Sequence, residues 1–128
     1  MAKHKLRVLI PLLSRQENEE AFLDKALQGA NEVTLLVVVD ASSTIENFGF
    51  TTSQIGQCNS LMNSIKEIAN GKKIKIYEAL EWGDTFAKVE NTAKLRKVDR
   101  IVLKKQENHY FEELVRKLRD EKFEVEVI

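Results

Sequence analysis

Two almost unbroken apolar runs, Leu-Arg-Val-Leu-Ile-Pro-Leu-Leu at 6–13 and Val-Thr-Leu-Leu-Val-Val-Val at 33–39, limit what this chain can fold into. Their shortness, and in the second the β-branched Val33, Thr34, Val37, Val38 and Val39, favour strands over helices. A strand apolar at every position has both faces covered, and that belongs to a parallel sheet with helices on each side.

The remaining chain supplies those helices. Pro11 has no N–H to donate and belongs near the end of its strand. Ser14-Arg15-Gln16-Glu17 has capping-box spacing, which predicts a helix opening at Ser14 with Glu17 reaching back to the cap. Ala21, Phe22, Ala26 and Leu27 give it an apolar face, and Gly29 ends it. After the second strand come a polar loop at 40–44 and an aromatic turn at Phe48-Gly49-Phe50. From about Ser53 a second helix buries Ile55, Cys58, Leu61, Met62, Ile65, Ile68 and Ala69 and stops at Asn70-Gly71. Residues 72–79 alternate charged and apolar, the mark of a strand with one face or edge in water. Asp84 or Thr85 caps a third helix burying Phe86, Val89, Ala93 and Leu95. Ile101-Val102-Leu103 is a fourth strand. The fourth helix turns Phe111, Leu114, Val115 and Leu118 inward and pairs Glu112 with Arg116 and Glu113 with Lys117 outside. Residues 123–128 alternate again and form the last strand.

Alternation of strand and helix predicts an α/β three-layer sandwich, one domain over 1–128, with right-handed crossovers. The continuously apolar first, second and fourth strands belong inside the sheet and the alternating third and fifth at its edges. The order 3-2-1-4-5 meets this; 2-1-3-4-5 would leave the valine-rich second strand on an edge. In the first order the sheet changes winding direction between strands one and four, so a ligand crevice opens beside Pro11, Leu12 and Leu13 and beside Leu103, Lys104 and Lys105. Pro11, Leu13, Arg15, Val39, Asp40, Lys104, Lys105 and His109 are its candidate binding residues, the two lysines and the histidine as anion ligands near a helix start.

The chemistry these residues offer is limited. Clustered strand-end aspartates that would hold a divalent cation are missing, since Asp40 stands alone. Cys58 lies on the apolar stripe with Leu61 and Met62, as a core residue rather than a nucleophile. His4 and His109 match no metal-ligand spacing. Trp82, Phe48 and Phe50 read as packing under a loop. Twenty basic residues balance twenty acidic ones, so no overall field draws the protein to nucleic acid or an anionic membrane. One cysteine excludes an intrachain disulfide and suits a reducing compartment. With no signal-like leader and no run near the roughly 20 apolar residues of a membrane helix, the chain reads as soluble and cytoplasmic.

The strand ending Val8-Leu9-Ile10-Pro11, the run from Glu32 to Asp40, Gly83-Asp84 before a helix, and Val98-Asp99-Arg100-Ile101-Val102-Leu103 together resemble the universal stress protein family over essentially the whole chain. The resemblance implies the adenine nucleotide alpha hydrolase-like fold. Many members bind ATP with an acid at the tip of the first strand and a loop of spacing G-x2-G-x9-G-[ST] after the fourth. Here Leu12 or Leu13 takes the acid's place, Lys104 stands where the first glycine belongs, and Asn108-His109 fall near the closing Gly-Ser of a shortened loop. The chain is therefore similar to the branch without ATP binding. Members of that branch act chiefly as dimers, and the resemblance implies a homodimer through the last strand, with Phe123, Val125 and Val127 along its edge. The expected protein is non-enzymatic, holds no cofactor, and serves a stress response through protein contacts. The alternative is a degenerate binder of ATP, AMP or another anion in the crevice between strands one and four.

Overall fold

Five parallel strands, β1 (Arg7–Pro11), β2 (Glu32–Val39), β3 (Lys75–Trp82), β4 (Arg100–Leu103) and β5 (Val125–Val127), hydrogen-bond in the order β3-β2-β1-β4-β5. This is the expected order, with the continuously apolar strands inside and the alternating ones at the edges. The computed structural model describes residues 5–39 and 52–128, so His4, Asp40, Phe48 and Phe50 lie outside the described residues. The connecting helices are α1 (Glu20–Ala26), α2 (Ile55–Ala69), α3 (Thr85–Arg96) and α4 (His109–Asp120).

Side chains alternate across the sheet and build two cores. Val8, Ile10, Leu12, Val33, Leu35, Val37 and Val39 meet Phe22, Leu23 and Ala26 of α1 and Cys58, Leu61, Met62 and Ile65 of α2. On the other face Leu9, Leu13, Leu36, Val38, Ile101 and Leu103 meet Val89 and Ala93 of α3 and Phe111, Leu114 and Leu118 of α4. Burial of each large aliphatic side chain contributes about 1.5–3 kcal/mol, so these two layers supply most of the drive to fold. β1 has partners on both sides, with Val8 beside Val33 of β2 and Arg100 of β4. Polar ties fix the opposite end of the sheet: the Arg7 amide donates to Asp99 Oδ2 at 2.8 Å, and Arg100 Nη2 donates to the carbonyls of Ala26 and Gln28 at 3.1 and 3.0 Å.

Four local expectations change. Helix α1 opens at Glu20, not at Ser14, and its N-cap Glu19 makes no side-chain cap. β3 starts later than the alternation suggested, because residues Asn70–Lys72 form a 3-10 turn and Lys73 turns left-handed at φ 55°, and it runs on to Trp82, which ends the strand half-exposed rather than packed under a loop. Leu95 is 82% exposed; two residues past Ala93 is about 200° around the helix, which carries it to the far side. Outside α4, Glu113 meets Lys117 at 3.3 Å as expected, but Arg116 turns to Asp120 at 3.5 Å rather than to Glu112. Among the described residues no helix is long and apolar enough to cross a membrane.

Candidate functional site

β1 connects to β2 on one side and borders β4 on the other, so the connections leaving β1 and β4 part company at their carboxyl ends and leave a crevice between them. The chain that borders it is the turn after β1. The Leu12 amide donates to the Leu36 carbonyl at 2.9 Å, carrying the ladder one residue past Pro11. Pro11, Leu12 and Leu13 are buried; Leu12 packs toward α1 and α2, Leu13 toward α3 and α4. The chain then reverses at Arg15, whose φ of 68° is left-handed and costs a non-glycine residue of the order of 1 kcal/mol.

Glu17 closes this turn. Its Oε2 accepts from the Leu13 amide at 3.1 Å, the Ser14 amide at 2.9 Å and the Ser14 hydroxyl at 2.7 Å. Ser14 Oγ in turn accepts from the Gln16 amide at 3.1 Å. The reach back to Ser14 foreseen from the capping-box spacing is therefore made, but by a turn: the left-handed Arg15 keeps a helix from starting there. Glu17 is 1% exposed and its Oε1 has no hydrogen-bond partner among the described residues. Burial pushes its carboxyl above the ordinary value of 4.5, against the opposing pull of the bonds from Ser14, its own amide and Leu13. Sequence reasoning placed Glu17 in the first turn of a helix and missed that it is buried.

The expected basic cluster is divided by strand parity. Val102 faces the α1–α2 core and Leu103 the α3–α4 core, so the next two residues part in the same way. Lys104 goes to the first side, where its Nζ meets Glu19 Oε1 at 2.9 Å and stands 5.9 Å from the centre of the Phe22 ring. Lys105 goes to the other and lines a groove beside α4, while its amide donates to the Ile128 carbonyl at 2.8 Å. His109 opens α4 with its side chain 81% exposed and its Nε2 3.6 Å from Glu113 Oε2. The cap of that helix is Asn108, whose Oδ1 accepts from the Phe111 amide at 2.8 Å. Arg15 Nη2 donates to Gln54 Oε1 at 2.9 Å, joining the turn to the start of α2. Val39 is buried at the end of β2, and its carbonyl accepts from the Gly83 amide at 3.0 Å. Lys104 thus lies beside Glu19 and α1, while Lys105 and His109 lie on the side of α4, so the three cations are not brought together.

Cys58 is fully buried, and burial raises its thiol to about 11 in spite of its own amide and the charge of Arg15. It is a core residue, without the lowered pKa that a nucleophilic thiolate needs. Among the described residues no group of three or more His, Cys, Asp or Glu side chains is placed to hold a metal ion.

At the other candidate site, Phe123, Val125 and Val127 turn their side chains toward the α3–α4 core. The backbone groups of Glu124 and Ile128 bond to β4, so those of Val125 and Val127 point away from the sheet. Arg119 Nη2 donates to the outward Val125 carbonyl at 3.2 Å. Beside this edge lies a groove of about 520 Å³ floored by Phe111, Val115 and Val127 and rimmed by Lys105, Arg116 and Arg119.

No family model matches the chain, and no curated protein matches it in sequence. Solved structures do match its backbone. A protein of the universal stress protein family from Burkholderia pseudomallei superposes with a TM-score of 0.64 at 17% identity, covering 95% of this chain and 94% of its own. The hypothetical protein PH0823 superposes with a TM-score of 0.63 at 21% identity, covering 96% and 94%. With the strand order and layers described above, this similarity shows that the chain has the fold of universal stress proteins, the adenine nucleotide alpha hydrolase-like α/β sandwich.

Proposed function

We propose that this chain works as a universal stress protein-like, non-enzymatic homodimer of the cytoplasm, which serves a stress response through contacts with other proteins and does not bind ATP. One observation carries the reading on ATP. In the loop after β4, where the family's ATP binders carry the glycines that surround the phosphates, Lys104 pairs with Glu19 at 2.9 Å, the Lys105 amide donates to the Ile128 carbonyl at 2.8 Å and the Phe111 amide donates to Asn108 Oδ1 at 2.8 Å, so these donors are held within the fold. Dimerisation rests on the β5 edge, where Val127 offers an outward N–H and carbonyl next to the apolar groove.

Titration calorimetry and thermal shift with ATP, AMP and inorganic phosphate at millimolar concentration test the ligand half. The expected result is no saturable heat and no shift. A saturable shift that Lys104→Ala abolishes would replace this reading with that of a degenerate anion binder. Sedimentation equilibrium tests the dimer half, and a strict monomer at high concentration would remove it.

A further inference from the structure

β3 is the other edge of the sheet and more than twice the length of β5, with Lys75–Trp82 against Val125–Val127. The amide of Lys75 donates to the carbonyl of Asn31, just before β2, and that of Gly83 to the carbonyl of Val39 at its end. Odd-numbered residues of β3 therefore bond to β2, and Ile76, Glu78, Leu80 and Trp82 turn their N–H and carbonyl groups outward, where no described strand meets them. Their side chains share the face of the sheet that carries α2, where Ile76 and Leu80 pack on the core and Lys66 Nζ meets Glu78 Oε1 at 2.7 Å.

We propose that β3 pairs antiparallel with β3 of a second copy of this chain, about a two-fold axis through Glu78. Outward backbone groups must face outward backbone groups, and this restricts the axis to a residue position rather than the gap between two. Of the two most central choices, an axis at Ala79 sets Glu78 against Leu80 and Tyr77 against Glu81. An axis at Glu78 sets Lys75 against Glu81, Ile76 against Leu80, Tyr77 against Ala79 and Ile74 against Trp82, each pair occurring twice. Lys75 and Glu81 are exposed and lack an ion pair among the described residues, so each gains an opposite charge. Only Glu78 meets its like, and each copy holds its own Lys66 against it.

The shapes of the two ends agree with this register. Trp82 closes the strand 49% exposed. At the other end, a groove of about 500 Å³ between α2 and β3 is lined by Ala69, Ile74 and Ile76 with Asn63, Lys66 and Asn70 around them. The two-fold brings Trp82 of one copy opposite Ile74 of the other, on the α2 face, so an exposed indole at one end covers an apolar groove at the other. This contact is additional to the proposed β5 contact and is independent of it.

A charge swap tests it in a background that disables β5. Val127→Pro removes an outward N–H of β5 and none of its bonds to β4. In that background sedimentation equilibrium is expected to show dimers. Adding Lys75→Glu is expected to raise the dimer Kd about tenfold, and adding Glu81→Lys as well to bring it back. A monomer in the Val127→Pro background, or no recovery in the double swap, overturns the β3 contact and leaves the β5 dimer standing. Should Val127→Pro fail to fold, cross-linking in the otherwise unaltered chain decides. Oxidation joins two copies through Glu78→Cys, whose Cα atoms face at about 5.5 Å, a disulfide distance. Equal cross-linking through Ala79→Cys, or none through Glu78→Cys, overturns the register.

Discussion

Glu17 is a buried carboxylate that accepts from its own turn through one oxygen, while the other has no partner among the described residues. Its raised pKa fixes the sign of a pH effect. Because the folded state holds the proton more tightly than the unfolded state, the contribution of Glu17 to stability is fully present below the ordinary value of 4.5 and is lost as pH rises through the folded pKa. Urea denaturation from pH 4 to 8 should therefore show wild type losing stability relative to Glu17→Gln as pH rises, by no more than about 1.4 kcal/mol per pH unit. Parallel curves for the two proteins would contradict it. Cys58, fully buried and raised to about 11, should resist iodoacetamide in the native protein at pH 8 and react within minutes once urea unfolds the chain. Its place on an apolar stripe was legible in the sequence. The burial of Glu17 was not, since spacing shows that a carboxylate can reach a turn but not that the turn lies beneath other elements.

The elements followed their local chemistry where one strong signal acted alone. Asp84 caps α3 through the Ala87 amide at 2.9 Å and Asn108 caps α4 through the Phe111 amide at 2.8 Å. Asp84→Ala and Asn108→Ala should each cost about 1 kcal/mol in thermal or urea unfolding. Leu95→Gln, at an exposed site on the far side of α3, should change stability by less than about 0.5 kcal/mol. Where two signals competed, the sequence misled. Ser14 and Glu17 read as a helix start, yet the left-handed Arg15 between them makes a tight turn and delays α1 to Glu20. Leu95 read as core because it is apolar, although its angle around the helix already placed it outside.

For the molecule as a whole, strand burial was enough to place the edges of the sheet. β1, β2 and β4 are buried at nearly every position and β3 and β5 are not, and the observed β3-β2-β1-β4-β5 keeps the first three inside. The candidate site was less legible, because proximity in sequence did not survive the alternation of side chains. Lys104 and Lys105 are neighbours in the chain, yet one reaches Glu19 beside α1 and the other lines the groove of α4. The large core makes the fold robust to such surface changes, but not to cavities at its centre. Leu9→Ala, in the fully buried middle of β1, should cost about 2–5 kcal/mol in urea unfolding. The central claim is that this fold acts here as a dimer whose loop after β4 is tied within the fold rather than shaped around a phosphate. Native mass spectrometry of the purified protein tests both parts in one spectrum. The account predicts dimers, joined into larger multiples of the chain where the β3 contact also forms, with no added nucleotide, and a monomer carrying ATP or AMP would contradict it.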